Sequence, residues 1–240
     1  MKNLTSTSHT SKQFNQQQLN NNVHRTPLYM KAHTSETQST TTPEKALEFL
    51  KEGNARFVSN LKVNRNLLEQ VNDTREGQWP FAVVLSCIDS RTSAELIFDQ
   101  GLGDIFSVRI AGNFVNQDIL GSMEFGCNVA GSKLVVVLGH TKCGALKGGL
   151  DAAKIVDAGM DNLNHLVGHF NPIINDIIED GEERCSSNYS LLERLNQENI
   201  KRSIEEIREK SETLRNLEKE GKIKIVGANY CVETGVVTWL

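Results

Sequence analysis

The chain lacks a long hydrophobic run: no apolar stretch approaches the roughly 18 residues of a membrane-spanning helix, so no membrane span is expected. It also lacks a net positive charge. With 26 Lys and Arg against 30 Asp and Glu, the formal net charge is −4, which gives no electrostatic support to nucleic-acid binding. A paired-cysteine framework is missing as well. Five cysteines are an odd number, and no secretory signal is recognisable, so a reducing, cytoplasmic setting is expected. At 240 residues the chain has room for one sizeable core, and no feature demands two.

What is present is concentrated in two short segments, Cys87-Ile88-Asp89-Ser90-Arg91 and His140-Thr141-Lys142-Cys143-Gly144. Each follows a run of apolar, valine-rich residues, Phe81 to Leu85 and Leu134 to Leu138, which reads as a buried strand of a parallel sheet. Neighbouring strands of that kind deliver Cys87, His140 and Cys143 to one sheet edge, at the carboxyl ends where open α/β sheets place their chemistry. Two thiolates and one imidazole are a soft donor set that suits zinc, and three ligands leave a fourth position open. Asp89 lies two residues from a ligand, with Arg91 beside it in sequence. Its carboxylate has two available duties: accepting a hydrogen bond at the open position, or swinging in as a fourth metal ligand that closes the site. A bidentate Arg91 pair decides between them, because it fixes the carboxylate and keeps it ionised.

Cys-x-Asp-Ser-Arg, about fifty residues ahead of Gly-His-x-x-Cys-Gly, resembles the β-class carbonic anhydrases. The resemblance runs from Ala46 to Leu240 and takes in Gly53-Asn54-Ala55-Arg56-Phe57, Val108-Arg109-Ile110-Ala111-Gly112-Asn113 and Glu233-Thr234-Gly235. It implies one zinc ion per chain on Cys87, His140 and Cys143, with Asp89 a ligand only in a closed state. It also implies Asp89 and Arg91 as a catalytic dyad, and reversible hydration of CO2 to bicarbonate and a proton by hydroxide generated at the metal. Two thiolates cancel the charge of the zinc, so the water is expected to ionise at higher pH than on a metal held by three imidazoles. Gln78 matches the glutamine that binds substrate in plant-like members, and Phe106 matches a pocket phenylalanine of that branch. Phe125 departs from it by standing where those members carry Tyr. Val84 stands where bicarbonate-inhibited bacterial members carry Trp, which favours the open-site branch. Ile88 and Ile110 replace more usual polar residues. Gly144 begins a glycine-containing stretch whose free backbone N–H groups suit an anion such as bicarbonate, and a tight strand-to-helix turn accounts for it equally. Family members are dimers or multiples of dimers, so a homodimer or larger assembly is implied.

Along the chain, residues 1–41 are polar, with runs of Gln and Asn, and are expected to form a disordered tail. Residues 42–240 are expected to form one catalytic domain, of which 42–75 make an N-terminal helical arm; the resemblance implies that this arm clasps a partner copy. Thr41-Thr42-Pro43-Glu44 carries a helix-start signature, with Thr41 and Glu44 at capping-box spacing. From Phe81 onward strands and helices alternate, which predicts an α/β fold: a mostly parallel central sheet flanked by helices, with a C-terminal helical region. Helices are expected near 93–98, 118–130, 164–180 and 188–220. Strands are expected at 81–86, 105–110, 133–138 and 223–226, with 236–239 as a hairpin partner of the last. His165 and His169 share a helix face but have no third donor in the sequence pattern, and read as surface histidines. Three rivals are weaker. A cysteine phosphatase leaves His140 and Cys143 unexplained, and a non-catalytic zinc module leaves Asp89 and Arg91 unexplained. A carbon disulfide or carbonyl sulfide hydrolase on the same scaffold shares the ligand set.

Overall fold

A computed structural model describes residues 31–240. Residues 1–30 of the expected polar tail lie outside the described residues. Helices α1 (Ser35–Thr40), α2 (Pro43–Val58) and α3 (Leu67–Thr74) precede a five-stranded sheet. Its strands are β1 (Ala82–Ser86), β2 (Ile105–Arg109), β3 (Leu134–His140), β4 (Lys224–Tyr230) and β5 (Val237–Trp239), in spatial order β2-β1-β3-β4-β5. The first four are parallel and β5 is antiparallel to β4. The expected α/β architecture is therefore present, with the crossovers supplied by helices. They are α4 (Ala94–Ile97) and α5 (Gln117–Glu124), which ends in a π-helical turn, Phe125–Val129; then α6 (Gly144–Leu150), α7 (Ala152–Asp157), α8 (Asp161–Gly168), α9 (Asn171–Ile177), α10 (Tyr189–Lys210) and α11 (Glu212–Lys219).

β1 and β3 are buried at every residue, which is why both read as unbroken apolar runs rather than alternating ones. One sheet face, with Val84, Leu134, Val136 and Leu138, packs on Ala46 and Leu50 of α2 and on α4. The other face, with Val83, Leu85, Val135 and Val137, packs on α5, α10 and Leu214 of α11. Each such fully buried Val or Leu contributes about 1.5–3 kcal/mol of transfer free energy. A third cluster, built from α6, α8, α9 and α10, closes over Cys87 and Cys143.

Several local features differ from the sequence expectation. Order begins before residue 42: Thr34 caps α1 through a capping box, and the buried Gln38 amide donates to Pro80 O at 2.7 Å and Ala130 O at 2.8 Å. The cap of α2 is Thr42, accepting from the Lys45 amide, so Thr41 and Glu44 do not form the expected box. Within the chain α2 is tied to the sheet, because the Asn54 amide donates to Ile97 O and Gly235 O and accepts from the Val237 N–H. The long C-terminal helix breaks at Ser211, which caps α11 and donates to Glu124 Oε1 at 2.6 Å. The 164–180 helix divides before Pro172, whose ring cannot continue the preceding turn. β4 runs four residues past the apolar run, through Gly227-Ala228-Asn229 to Tyr230. Glycine is required there because a Cβ at 227 would lie 2.8 Å from Ile200 Cγ2 of α10.

Candidate metal centre

Chain direction decides where a site forms. From β1 the chain crosses to β2 on one side, then returns to β3 on the other side of β1 and continues to β4. The loops leaving β1 and β3 therefore diverge, opening a crevice at the carboxyl ends of these two strands. Ser86 is in register with Leu138, so Cys87 emerges level with Gly139, beside His140 at the end of β3. Lys142, at φ +57, folds the chain back so that Cys143 becomes the first turn's cap of α6.

Cys87, His140 and Cys143 are 3%, 0% and 1% exposed, and their donor atoms all lie within 4.8 Å of one another. The two sulfurs are 3.9 Å apart. Two sulfurs on a tetrahedral zinc at 2.3 Å stand about 3.8 Å apart, so the pair fits that metal without rearrangement. His140 Nδ1 is 3.0 Å from Thr141 O, a carbonyl that only accepts, so Nδ1 carries the proton. The Nε2 lone pair is thus free, and this buried atom has no hydrogen-bond partner. An orphaned imidazole nitrogen beside two buried thiols is the donor chemistry of a zinc site. A hydrogen bond from Cys143 lowers the Cys87 pKa to about 4 against the opposing effect of burial, with the Gly112 amide helping, and the same bond pushes Cys143 up.

Asp89 stands outside the three-donor cluster. Arg91 Nε donates to Oδ1 at 2.9 Å, Nη2 to Oδ2 at 2.7 Å, and the Arg91 backbone N–H to Oδ1 at 3.0 Å. The Arg91 hydrogen bonds hold the Asp89 carboxyl well below the usual carboxylate range, despite its partial burial. Two residues that sequence reasoning did not single out pin this loop. Thr92 Oγ1 donates to Cys87 O and Asp89 O at 3.0 and 2.9 Å, and Arg109 donates to the same two carbonyls at 2.9 and 2.7 Å. Arg109 was legible only as part of a family landmark, whereas Thr92 had no signal beyond following Arg91. Gly144 is exposed at the start of α6, with open space where a Cβ would stand.

Gln78 and Phe106 are not brought to this cluster within one chain. Gln78 precedes β1, so the length of that strand, about 16 Å, separates it from the crevice. Phe106 is in register with Val83 near the amino end of the sheet and meets Phe125 edge to face at 6.2 Å. Both rings line an open cleft of about 1100 Å³ beside β2, the edge strand of the sheet among the described residues. His169 stacks on Phe114 at 4.2 Å with His165 edge-on to it, and no third donor joins them among the described residues.

An open parallel sheet with a buried, soft, three-donor centre at its switch point and a carboxylate held beside it defines a metalloenzyme of the α/β class. The carbonic anhydrase family profile matches residues 82–237. Carbonic anhydrase 2 of Mycobacterium tuberculosis is 32% identical over 196 residues, covering 81% of this chain and 91% of that protein. The carbonic anhydrase of Mycolicibacterium smegmatis is 46% identical over 111 residues, which cover 46% of this chain and about half (54%) of that relative. The solved β-carbonic anhydrase CcaA superposes with a TM-score of 0.62 at 23% identity, covering 82% of this chain and 93% of that chain. The chain belongs to the carbonic anhydrase family, and its fold is that of the β class.

Proposed function

We propose that this chain is a zinc enzyme that interconverts carbon dioxide and bicarbonate, and that Cys87, His140 and Cys143 hold the metal. The observation that carries this reading is the convergence of two buried sulfurs 3.9 Å apart and an unpartnered imidazole Nε2 at the switch point of a carbonic anhydrase fold. Bound there, zinc supplies a Lewis acid that makes a water acidic enough to attack CO2. The remaining work belongs to the protein. Asp89, immobilised by Arg91, accepts a hydrogen bond from the attacking water and so aims its lone pair. Arg91 keeps that carboxylate ionised and off the metal. The exposed amide end of α6 at Gly144 leaves room for the product anion beside the ligands.

The reading includes the open-site branch, supported by Asp89 resting on Arg91 and by a buried Val84 in the position of the family's inhibitory-site Trp. It also includes a homodimer or multiple of dimers. Gln78 and Phe106 lie too far from their own metal centre to act there, so as substrate-binding residues they serve the site of a second copy. Exposed Leu67, Leu68 and Val71 on α3, at 55%, 79% and 50%, offer that copy an apolar surface. All five thiols are free, which suits a cytoplasmic location, and no helix among the described residues is long and apolar enough to cross a membrane. The test is stopped-flow CO2 hydration on zinc-loaded protein, run beside Cys143→Ser. The wild type should turn over CO2 with one zinc per chain, while the variant loses most of the metal and all activity. Full zinc in the variant would refute the ligand assignment, and hydrolysis of carbonyl sulfide in place of CO2 hydration would refute the substrate.

A further inference from the structure

The core-facing side of α10 is apolar at Leu192, Leu195, Ile200 and Ile207, yet it carries Asn199 at 1% exposure. An amide buried without a partner costs about 1–3 kcal/mol, so this position demands a hydrogen bond. Asn199 Nδ2 donates to Gly112 O at 2.8 Å, and one helical turn on, Ser203 Oγ donates to Asn113 O at 3.4 Å. Gly112 in turn donates its own N–H to Cys87 Sγ at 3.3 Å. The loop between has little freedom. Gly112 sits at φ +81, where an added Cβ would lie 2.3 Å from Phe170 Cζ, and Asn113 follows at φ +44. Upstream, the Ile110 N–H donates to Ser86 O at 3.1 Å, and the Asn113 N–H closes a turn onto Ile110 O at 3.0 Å. Residues 110–113 are thus anchored to β1 at one end and to α10 at the other, which leaves the Gly112 amide one direction: into the sulfur.

We propose that Asn199 is a positioning residue of the metal centre, which sets the N–H···S hydrogen bond on Cys87 by holding the Gly112 carbonyl. This rests on the reading of Cys87 as a metal ligand. An amide donor draws charge from a thiolate, and a less electron-rich thiolate leaves its metal more positive and the adjacent water more acidic. The other amides at the two sulfurs are local to their ligands, Asp89 beside Cys87 and Ala145 and Leu146 beside Cys143. Among the described residues, the Gly112 contact alone is imposed by a distant helix, which gives α10 control over one of the two metal–sulfur bonds.

Asn199→Leu and Asn199→Asp both remove the donor, the first keeping volume and the second keeping shape. With cobalt(II) in place of zinc, the sulfur-to-metal charge-transfer absorption reports the electron richness of the thiolates. We expect this band to move to lower energy in both variants. CO2 hydration at neutral pH should fall by about tenfold, with the pH profile displaced to higher pH. A residue that merely braced the loop would change stability without moving the band or the profile. In wild-type protein loaded with cadmium-113, the Gly112 amide proton should couple to the metal through the sulfur, a measurement that requires no variant to fold. An unshifted band in a variant holding one cobalt per chain would overturn the proposal, as would a missing coupling at Gly112. Wild-type protein that binds no cobalt would overturn the metal-centre reading instead.

Discussion

Replacing Arg91 by Ala tests whether this side chain keeps Asp89 from closing the site. The substitution removes two charge-assisted hydrogen bonds, of 2.9 and 2.7 Å, and leaves the backbone N–H of residue 91 at 3.0 Å from Oδ1. A buried bidentate pair of this kind would be worth several kcal/mol. Here the Arg91 side chain is 49% exposed and Asp89 17%, so solvent screening brings the loss down to about 1.5–3 kcal/mol. At about 1.4 kcal/mol per decade, that moves the balance between Asp89 on Arg91 and Asp89 on the metal by about ten- to a hundredfold. CO2 hydration by zinc-loaded Arg91→Ala should fall by a similar factor at unchanged zinc content. Cobalt-loaded variant protein should show an added carboxylate ligand in its absorption spectrum. Arg91→Lys, which keeps the charge but not the two-point geometry, should fall between. Full activity in Arg91→Ala would refute the reasoning. So would lost activity with an unchanged cobalt spectrum, since Arg91 would then act on the reaction and not on Asp89.

Three further outcomes are expected. Burial disfavours the Asp99 carboxylate, but hydrogen bonds from Arg56, the Val63 amide and Arg65 together outweigh it and hold its pKa below the ordinary value. The folded pKa is the depressed one, so this stabilisation is complete above the unfolded value near 4 and fades as pH falls through the folded value. Asp99→Asn should therefore cost about 3 kcal/mol near neutrality and less in acid, and urea unfolding at several pH values giving parallel curves would contradict this. Removing residues 1–30 should leave assembly and activity intact. Deletion through Phe57 should abolish both, because it takes Ala46, Leu50 and Asn54 out of the core, and a folded, active product by circular dichroism and stopped flow would contradict that. Bicarbonate should inhibit as a simple product; a sigmoidal inhibition curve would show that Val84 does not disable the inhibitory site.

The centre of the sheet and its cluster of soft donors were legible from sequence because both are local. Strands buried on two faces need unbroken apolar runs, and soft metal donors are chemically distinctive wherever they stand. Element edges were less legible. A glycine such as Gly227 lowers strand propensity, yet packing of α10 demands it, and the π-turn at Phe125 and the breaks at Ser211 and Pro172 depend on what each segment packs against. Asn199 could have been noticed as a polar residue in an apolar helical stripe, but nothing in the sequence says that its partner is a carbonyl 87 positions away.

Sequence by itself determined the chemistry available: two thiols, an imidazole, a carboxylate and a guanidinium, each at the end of an apolar run or one turn beyond. Tertiary structure decided which of these meet. Strand order made β1 and β3 diverge and so joined Cys87 to His140 and Cys143, while strand length kept Gln78 and Phe106 at the far end of the sheet. Side-chain type is carried by single residues, but proximity is a property of chain crossings, and those follow from how all the buried faces are satisfied at once.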